Sequence, residues 1–294
     1  MVTEATEEAS PQSEPIILPI ARGVGLHKYY GTGETRVVAL DGIDVAFARG
    51  RLTAIMGPSG SGKSTLMHCM AGLDRPDEGT VYIEDQPIST FSQAALTKLR
   101  RTQIGFVFQS FNLIPTLTAE ENILLPLTLA RADVDRDWFD LIVDVVGLRD
   151  RLTHRPDELS GGQQQRVACA RALITKPSVV FADEPTGNLD SSSAAEVLGF
   201  LRESVDDFKQ SVVIVTHDPA TAVYADRVLF LADGRIVGDL DHPSEDQILE
   251  QLKAHTAKRR TQHIPEEVVT RAIEVISDQP AGESNLESFE GAED

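Results

Sequence analysis

The sequence predicts an α/β fold with a buried, mostly parallel sheet, and three observations support this. Residues 179–182 and 212–216 are nearly all apolar, which is typical of strands covered on both faces. A glycine-rich loop at residues 57–64 follows the apolar run 52–56 and precedes a helical stretch. Farther along, residues 159–166 read Leu-Ser-Gly-Gly-Gln-Gln-Gln-Arg at the start of another helix. The amide groups at such helix starts bind anions, so two separate anion sites are predicted.

The remaining strands follow from alternating or apolar runs between turn residues. Residues 37–40 and 43–47 alternate like strands, and Asp41-Gly42 predicts a turn between them. Asp233-Gly234 predicts a hairpin between two short strands near the C-terminal end of the fold. The other predicted strands are residues 80–83, 104–108, 228–231 and 235–237.

Helices are predicted from apolar spacing and from cap residues. Residues 115–148 read as helical, and the helix that follows Ser160 extends to about Ile174, before Lys176-Pro177. Ser244 and Gln247 form a capping box that predicts a terminal helix.

The charge of the chain is concentrated at its two ends. The net charge is −19, and most of it lies in residues 1–20 and 261–294. We expect a disordered acidic leader over residues 1–21 and an acidic, disordered tail over residues 261–294. Residues 265–276 also have the spacing of one amphipathic helix, which remains an alternative for the tail. The acidic composition lacks the basic surface of a nucleic-acid-binding protein, so no nucleic-acid partner is expected.

Composition also constrains the compartment. No apolar run approaches the ~20 residues that cross a bilayer, and the acidic N-terminal region does not match a secretory signal. We therefore expect a cytosolic protein whose membrane role depends on a partner. Cys69 and Cys169 lie in separate helical segments without metal-ligand spacing, which indicates two buried thiols.

The glycine-rich loop matches the pattern G-x-x-x-x-G-K-[ST]. Its glycines allow successive N–H groups to point toward phosphate oxygens. Lys63 supplies a positive charge near the β- and γ-phosphates, and Ser64 can ligate Mg²⁺. A glycine-rich turn without function is the alternative, and the flanking strand and helix disfavour it. The predicted phosphate-binding residues are Gly57, Pro58, Ser59, Gly60, Ser61, Gly62, Lys63 and Ser64.

Polar residues at three strand ends complete a hydrolytic site. Asp183 and Glu184 end an apolar strand, where Asp183 can hold Mg²⁺ and Glu184 can polarise an attacking water. His217 follows the next strand and can donate to a γ-phosphate oxygen. Gln109 ends strand 104–108 and can reach Mg²⁺ or the water. Each residue alone could be structural, and their order after the phosphate loop favours the functional interpretation.

With these motifs in this order, residues 22–240 resemble the nucleotide-binding subunit of ATP-binding cassette (ABC) transporters. Three strings, FQSFNLIPTLTAEENI, LSGGQQQR and ADEPTGNLD, resemble the lipoprotein-release and macrolide-export branch, which includes a cell-division ATPase. The shared features are the aromatic Tyr30, the Walker A loop, the Q-loop Gln109, the LSGGQ signature at 159–163, the Walker B strand ending in Glu184, the D-loop at 188–190 and the switch His217.

The resemblance implies a P-loop NTPase cassette over residues 22–260. Such a cassette has a RecA-like α/β core, an antiparallel β subdomain and an inserted α-helical subdomain, here at about residues 93–165.

The resemblance also implies roles for individual residues. Tyr30, rather than Tyr29, would stack on adenine, and the phosphate loop would extend to Thr65. The signature of one subunit would contact the γ-phosphate bound by a second copy, through Ser160, Gly161, Gly162 and Gln163. Asp190 would cross between the two copies. Glu184, His217 and Gln109 would be catalytic, and the metal ligands would be Ser64, Gln109 and Asp183.

The function implied by the resemblance is an ATPase that uses Mg²⁺ and ATP and acts as a head-to-tail dimer. It would drive a separate permease of the FtsX/MacB-like type from the cytoplasmic face of the membrane, exporting or extracting a lipophilic substrate, a peptide or a lipoprotein. An alternative is a cell-division-like ATPase that activates an extracytoplasmic enzyme without transport. A third class, a soluble ABC ATPase acting on nucleic acid, is disfavoured by the acidic composition.

Overall fold

The computed structural model describes residues 19–262. The predicted tail and its alternative helix at 265–276 lie outside these residues, as does the predicted leader up to residue 18. Ile20 and Ala21, which the leader was predicted to include, are buried, so the folded region begins by Ile20. The chain divides into one unit that ends at Leu249 and a second that begins at Glu250. The described part of the second unit is helical.

The described residues form ten strands and eight α-helices, joined by several 3-10 turns. The strands are β1 (Ala21–Tyr30), β2 (Val37–Phe47), β3 (Leu52–Met56), β4 (Glu78–Ile83), β5 (Gln86–Pro87), β6 (Ile104–Val107), β7 (Val179–Asp183), β8 (Ser211–Val215), β9 (Arg227–Ala232) and β10 (Arg235–Asp241). The helices are α1 (Lys63–Met70), α2 (Gln93–Thr102), α3 (Ala119–Ala130), α4 (Arg136–Val145), α5 (Gly161–Leu173), α6 (Ser191–Asp206), α7 (Pro219–Ala222) and α8 (Glu245–Gln262). The 3-10 turns are Gly33–Thr35, Ile88–Thr90, Arg149–Arg151 and Pro156–Glu158.

The core is a six-stranded sheet in the order β10-β9-β3-β8-β7-β6. Every pair from β9 to β6 is parallel, and β10 is antiparallel to β9 at one edge. Strands β3 and β8 are buried along their whole length, as is β7 up to its last residue. The predicted parallel sheet is therefore confirmed. Parallel strands end at the same edge, so the loops after β3, β6, β7 and β8 come together there.

A second, antiparallel sheet has the order β2-β1-β4-β5. The predicted turn at Asp41-Gly42 is wrong, because β2 continues through both residues. Gly42 has a φ of +69°, and the pairing with β1 shifts register beside it, between Leu26 and His27. Asp41 also accepts a hydrogen bond from Arg235, and its N–H donates to Gly234. A long-range contact thus stabilises a bulge where the local sequence predicted a reversal.

The helical insertion is shorter than predicted. Residues 115–148 contain two helices, because Arg131 ends α3 with a left-handed φ of +52° and Asp135 caps the start of α4. The range 93–165 also includes β6, which pairs with β7 in the core sheet. The helices α3 and α4 therefore lie between β6 and β7 along the chain.

Asn122 connects α3 to the segment that precedes it. The residue is fully buried, and its Oδ1 accepts a hydrogen bond from the Ile114 N–H at 2.8 Å. Its Nδ2 donates to the carbonyl oxygens of Ile114, Leu117 and Thr118 at 2.9–3.2 Å. One side chain therefore satisfies the backbone of an irregular segment that lacks a ladder of its own.

We expect Asn122→Ala to lower the free energy of unfolding by about 2–4 kcal/mol, because it leaves buried backbone groups without partners. Urea unfolding followed by circular dichroism measures this change. Thr128→Ala, at an exposed position of the same helix, should change stability by less than about 0.5 kcal/mol. Equal losses for both variants would show that the Asn122 contacts are unimportant.

Two further expectations concern composition. Cys69 and Cys169 are buried free thiols, as predicted, and burial raises the pKa of each to about 12. Across residues 19–262, no helix is both long enough and apolar enough to cross a bilayer.

Candidate functional site

The glycine-rich loop connects β3 to α1, and its glycines are needed for different reasons. A Cβ on Gly57 would lie 2.0 Å from the Leu231 carbonyl oxygen, and one on Gly62 would lie 2.3 Å from that of Ala39. These two glycines are required by close packing against β9 and β2. Gly60 has a φ of +75°, and a Cβ on it would have no neighbouring atom within 4 Å, so it faces open space. The loop is thus anchored at both ends and open in the middle.

Lys63 is a buried cation within this loop. Its Nζ donates to the carbonyl oxygens of Gly57 and Pro58, each at 2.9 Å. Burial lowers the pKa of Lys63, and the nearby Glu184 and Asp183 oppose that effect. A dianionic phosphate beside Nζ would stabilise the charged ammonium.

Two other groups in the loop fit an anionic ligand. The Ser61 hydroxyl is buried and has no hydrogen-bond partner within the described residues. Helix α1 begins after Gly62, which has no side chain to cap the first-turn N–H groups. A polyphosphate would satisfy these donors, so the residues present fit a nucleotide.

Ser64 and Asp183 form a pair of oxygen ligands beside the loop. The Ser64 hydroxyl donates to Asp183 Oδ1 at 3.2 Å, and burial raises the pKa of the Asp183 carboxyl. The described residues contain no group of three His, Cys, Asp or Glu side chains that could hold a metal on their own. This donor set fits Mg²⁺, which keeps few protein ligands and completes its shell with phosphate oxygens and water.

Glu184 and His217 lie close together at the ends of β7 and β8. His217 Nδ1 is 3.0 Å from Glu184 Oε1, and a ring protonated at Nδ1 donates to that carboxylate. Glu184 has a left-handed φ of +45°, held by its N–H bond to the Val215 carbonyl oxygen. This strained backbone aims the carboxylate away from the strand and toward the loop after β8.

Lys63, Ser64, Glu184 and His217 line one cavity of about 610 Å³, whereas Ser61 and Asp183 are not among its lining residues. Tyr30 lines it, is 43% exposed, and donates its hydroxyl to Asp74 Oδ2 at 3.0 Å. Tyr29 does not line it, and its ring instead contacts the Arg36 guanidinium. The cavity therefore favours Tyr30 over Tyr29. The lining residues are Tyr30, Val37, Ala39, Ser59, Gly60, Gly62, Lys63, Ser64, Thr65, Glu184 and His217.

The signature residues lie at the start of α5 and do not line this cavity. The Ser160 hydroxyl accepts from the Gln163 N–H, and Gln163 Oε1 accepts from the Ser160 N–H, which is a complete capping box. A Cβ on Gly162 would lie 2.7 Å from Ser193 Oγ, so this glycine allows α5 to approach α6 closely. The first-turn N–H groups of Gly161 and Gly162 form a second candidate anion site.

Gln109 and Asp190 have partners within the chain that sequence reasoning did not predict. Gln109 Nε2 lies 3.4 Å from Asn188 Oδ1, and Asn188 Nδ2 donates to the Gln109 carbonyl oxygen at 3.0 Å. Gln109 is absent from the cavity lining. Asp190 caps α6 by accepting from the N–H and hydroxyl groups of Ser192 and Ser193. These hydrogen bonds lower the pKa of the Asp190 carboxyl.

Comparison with known proteins decides the family. The sequence model described as ABC transporter matches residues 40–187. The lipoprotein-releasing system ATP-binding protein LolD of Geobacter metallireducens is 47% identical over 217 residues, covering 73% of this chain and 96% of that protein. This chain belongs to the ABC transporter family. It is an ABC ATPase of the branch that includes the lipoprotein-releasing and macrolide-export proteins.

Other relatives of this ABC ATPase agree with that assignment. The bacitracin export ATP-binding protein BceA of Halalkalibacterium halodurans is 39% identical and covers 78% of this chain and 92% of that protein. The macrolide export ATP-binding/permease protein MacB of Bdellovibrio bacteriovorus is 45% identical over 73% of this chain. The matched region spans only 33% of that longer relative.

Solved structures match the fold of the ABC ATPase. A dimeric, post-hydrolysis structure of the ATP-binding cassette MJ0796 bound to ADP and Pi is 39% identical, with a TM-score of 0.70. It covers 76% of this chain and 99% of that chain. The predicted α/β cassette fold is therefore confirmed, as are ATP binding and hydrolysis.

Proposed function

We propose that this ABC ATPase works as a head-to-tail dimer that binds two ATP molecules at its interface and drives a separate membrane permease. The observation that carries the proposal is the separation of two anion sites in one chain. The phosphate loop and Lys63 line one cavity, whereas the signature at the start of α5 lies outside it. A second copy is needed to place a signature against the nucleotide in each cavity. The dimeric MJ0796 cassette supports this arrangement.

The proposed cycle depends on the γ-phosphate. With ATP bound, that group contacts the phosphate loop of one copy and the Ser160 region of the other, which favours the closed dimer. Hydrolysis removes the shared contact, and a ligand shifts an equilibrium only through such a difference in interaction.

We assign the chemistry to the residues around the cavity. Lys63 and the loop amides bind the phosphates, while Ser64 and Asp183 would hold Mg²⁺, which would neutralise charge on the phosphate oxygens. Glu184 accepts a proton from the attacking water, and His217 orients Glu184 and contacts the γ-phosphate. Gln109, which here contacts Asn188, would assist in holding the metal or the water. Tyr30 stacks on the adenine ring.

A second cavity supports docking of a permease. It has a volume of about 370 Å³ and lies between α2, β6, α3 and α5, with Phe106, Leu125 and Leu129 among its lining residues. Leu129 is 57% exposed beside this apolar lining, which suits contact with an apolar partner helix. Ile114 is also exposed, and we include it with Phe111, Leu113 and Leu117 in the docking region.

We further propose the type of partner and cargo. The names of the relatives indicate lipoprotein release, macrolide export and bacitracin export. By analogy, this chain acts at the cytoplasmic face of the membrane with an FtsX/MacB-like permease, in export or extraction of a lipophilic substrate, a peptide or a lipoprotein. ATP-dependent substrate flux in vesicles that contain the chain and its permease tests this assignment. ATP-driven conformational change without flux would instead favour the cell-division-like alternative.

The dimer predicts an effect at the signature. We expect Ser160→Arg to retain ATP binding within about threefold but to lower the rate of hydrolysis more than about a hundredfold, since the arginine obstructs the site of the other copy. Nucleotide titration and phosphate release measure the two quantities separately.

Ser92→Arg is the matched control, because Ser92 caps α2 in the way that Ser160 caps α5. That variant should hydrolyse ATP normally in the absence of permease. If Ser160→Arg also hydrolysed ATP at the normal rate, the signature would not contact the nucleotide and the proposed dimer would be wrong.

A further inference from the structure

Gln165 is a buried residue of α5 to which the site described above gives no role. Its exposed fraction is 0%, and it follows Ser160 by five positions on the same helix. At 1.5 Å per residue, about 7.5 Å of rigid helix separates it from the signature serine. Any movement of the signature relative to the core therefore moves Gln165 as well.

The side-chain amide of Gln165 contacts two of the three loops that carry the proposed catalytic residues, the Gln109 loop and the Glu184 loop, but not the His217 loop. Its Nε2 donates to the Pro185 carbonyl oxygen at 2.6 Å and lies 3.4 Å from the Phe108 carbonyl oxygen. Pro185 directly follows Glu184, and Phe108 directly precedes Gln109. The shorter bond to Pro185 is the stronger of the two, so the main restraint acts on the Glu184 loop.

The chemistry of Gln165 suits this position. Both neighbours of Nε2 are carbonyl oxygens, which only accept hydrogen bonds, so the NH₂ group must face them. The Oε1 atom is buried and has no hydrogen-bond partner in the described part of the chain. The Gln165 side chain therefore makes its hydrogen bonds through the NH₂ group and not through Oε1.

The two loops are also connected to each other. Asn188 pairs with Gln109 through two side-chain contacts, and a Cβ on Gly187 would lie 2.8 Å from Gln109 Nε2. The Glu184–Asn188 segment and Gln109 are therefore packed as one group, which Gln165 holds from the side of α5.

We propose that Gln165 is a positioning residue for ATP hydrolysis: it joins the signature helix to the backbone beside Glu184 and Gln109. ATP contact at the signature then aligns the catalytic carboxylate of the same chain, which serves the other nucleotide of the dimer. This inference rests on the proposed function, because it needs the signature and Glu184 of one chain to act on different nucleotides.

The test compares Gln165→Met with Gln210→Met, measured on the full chain. Gln210 is also a buried glutamine whose Nε2 donates to two backbone carbonyl oxygens, those of Pro177 and Ser211. Both variants should lower the thermal midpoint by similar amounts. Only Gln165→Met should lower kcat, by about tenfold to a hundredfold, with the KM for ATP changed less than about twofold. Its Hill coefficient for ATP should fall toward one.

Gln165→Asn repeats the test with the amide group retained but one methylene short of Pro185. We expect a lower kcat and also a lower thermal midpoint, because the buried amide loses its partner. If kcat per folded protein stays at the wild-type value in Gln165→Asn and Gln165→Met, the positioning role is wrong. If Gln210→Met lowers kcat by the same factor as Gln165→Met, the positioning role is also wrong, because the loss of activity then follows from lost stability alone.

The proposed function is checked separately in a Glu184→Gln background. There, Gln165→Met should still form the ATP-dependent dimer at the same ATP concentration, since neither anion site is altered. Loss of that dimer would make Gln165 a binding determinant and overturn the inference. If the Glu184→Gln single variant stays monomeric with Mg-ATP, the proposed dimer is wrong. The proposed role of Gln165 in coupling the two nucleotide sites is then wrong as well.

Discussion

Glu184→Gln should bind ATP normally and hydrolyse it about 10²–10⁴-fold more slowly, the range typical for loss of a general base. The substitution keeps the size of the side chain and its position at the end of β7, but an amide cannot accept the proton of the attacking water. The γ-phosphate then persists in the cavity and continues to contact both copies. We therefore expect a stable dimer in the presence of Mg-ATP.

Phosphate release and size-exclusion chromatography measure the two effects together. Glu203→Gln is a matched control, because Glu203 is exposed on α6 and the substitution is the same. The control should turn over ATP at the wild-type rate and should not accumulate as a dimer. Normal hydrolysis by Glu184→Gln would remove Glu184 from its proposed role.

Lys63→Ala should weaken ATP binding by about 10- to 150-fold, since a charge-assisted hydrogen bond to phosphate contributes about 1.5–3 kcal/mol. The effect follows from the position of Nζ within the loop, where it bonds the carbonyl oxygens of Gly57 and Pro58. Those two oxygens also lose their donor, so the nucleotide-free protein should unfold at a lower temperature.

Binding of a fluorescent ATP analogue and thermal unfolding separate these two consequences. Lys98→Ala, at an exposed position of α2, should change neither quantity appreciably. Nucleotide should raise the unfolding temperature of the wild-type protein and of Lys98→Ala, but not that of Lys63→Ala. Tight ATP binding by Lys63→Ala would contradict the assignment of the loop.

The capping box at Ser160 and the pair Glu184–His217 show what local sequence could predict. Ser160 and Gln163 are three residues apart, so their mutual hydrogen bonds follow from helix geometry. Glu184 and His217 are distant in sequence, but each ends a strand of one parallel sheet, and such ends meet. The roles assigned to the site residues remain predictions that the variants above test.

Asn122 and Gln165 show what local sequence could not predict. Both are polar residues in helices, where exposure is the ordinary expectation, and both are fully buried. The triple glutamine at 163–165 gave no signal for which member faces inward, because that depends on the packing of α5 against the core.

The sequence by itself determined the order of the chemical motifs along the chain: the phosphate loop, the signature, the strand-end acids and the switch histidine are each specified by residues a few positions apart. Only the tertiary structure decided that β2 bulges at Gly42 and that β6 joins the core sheet. It also decided that Gln109 pairs with Asn188 and that Gln165 forms hydrogen bonds to the backbone of two loops. Caps and phosphate loops are set by local backbone geometry, whereas these four features depend on contacts between residues far apart in sequence, which no short pattern encodes.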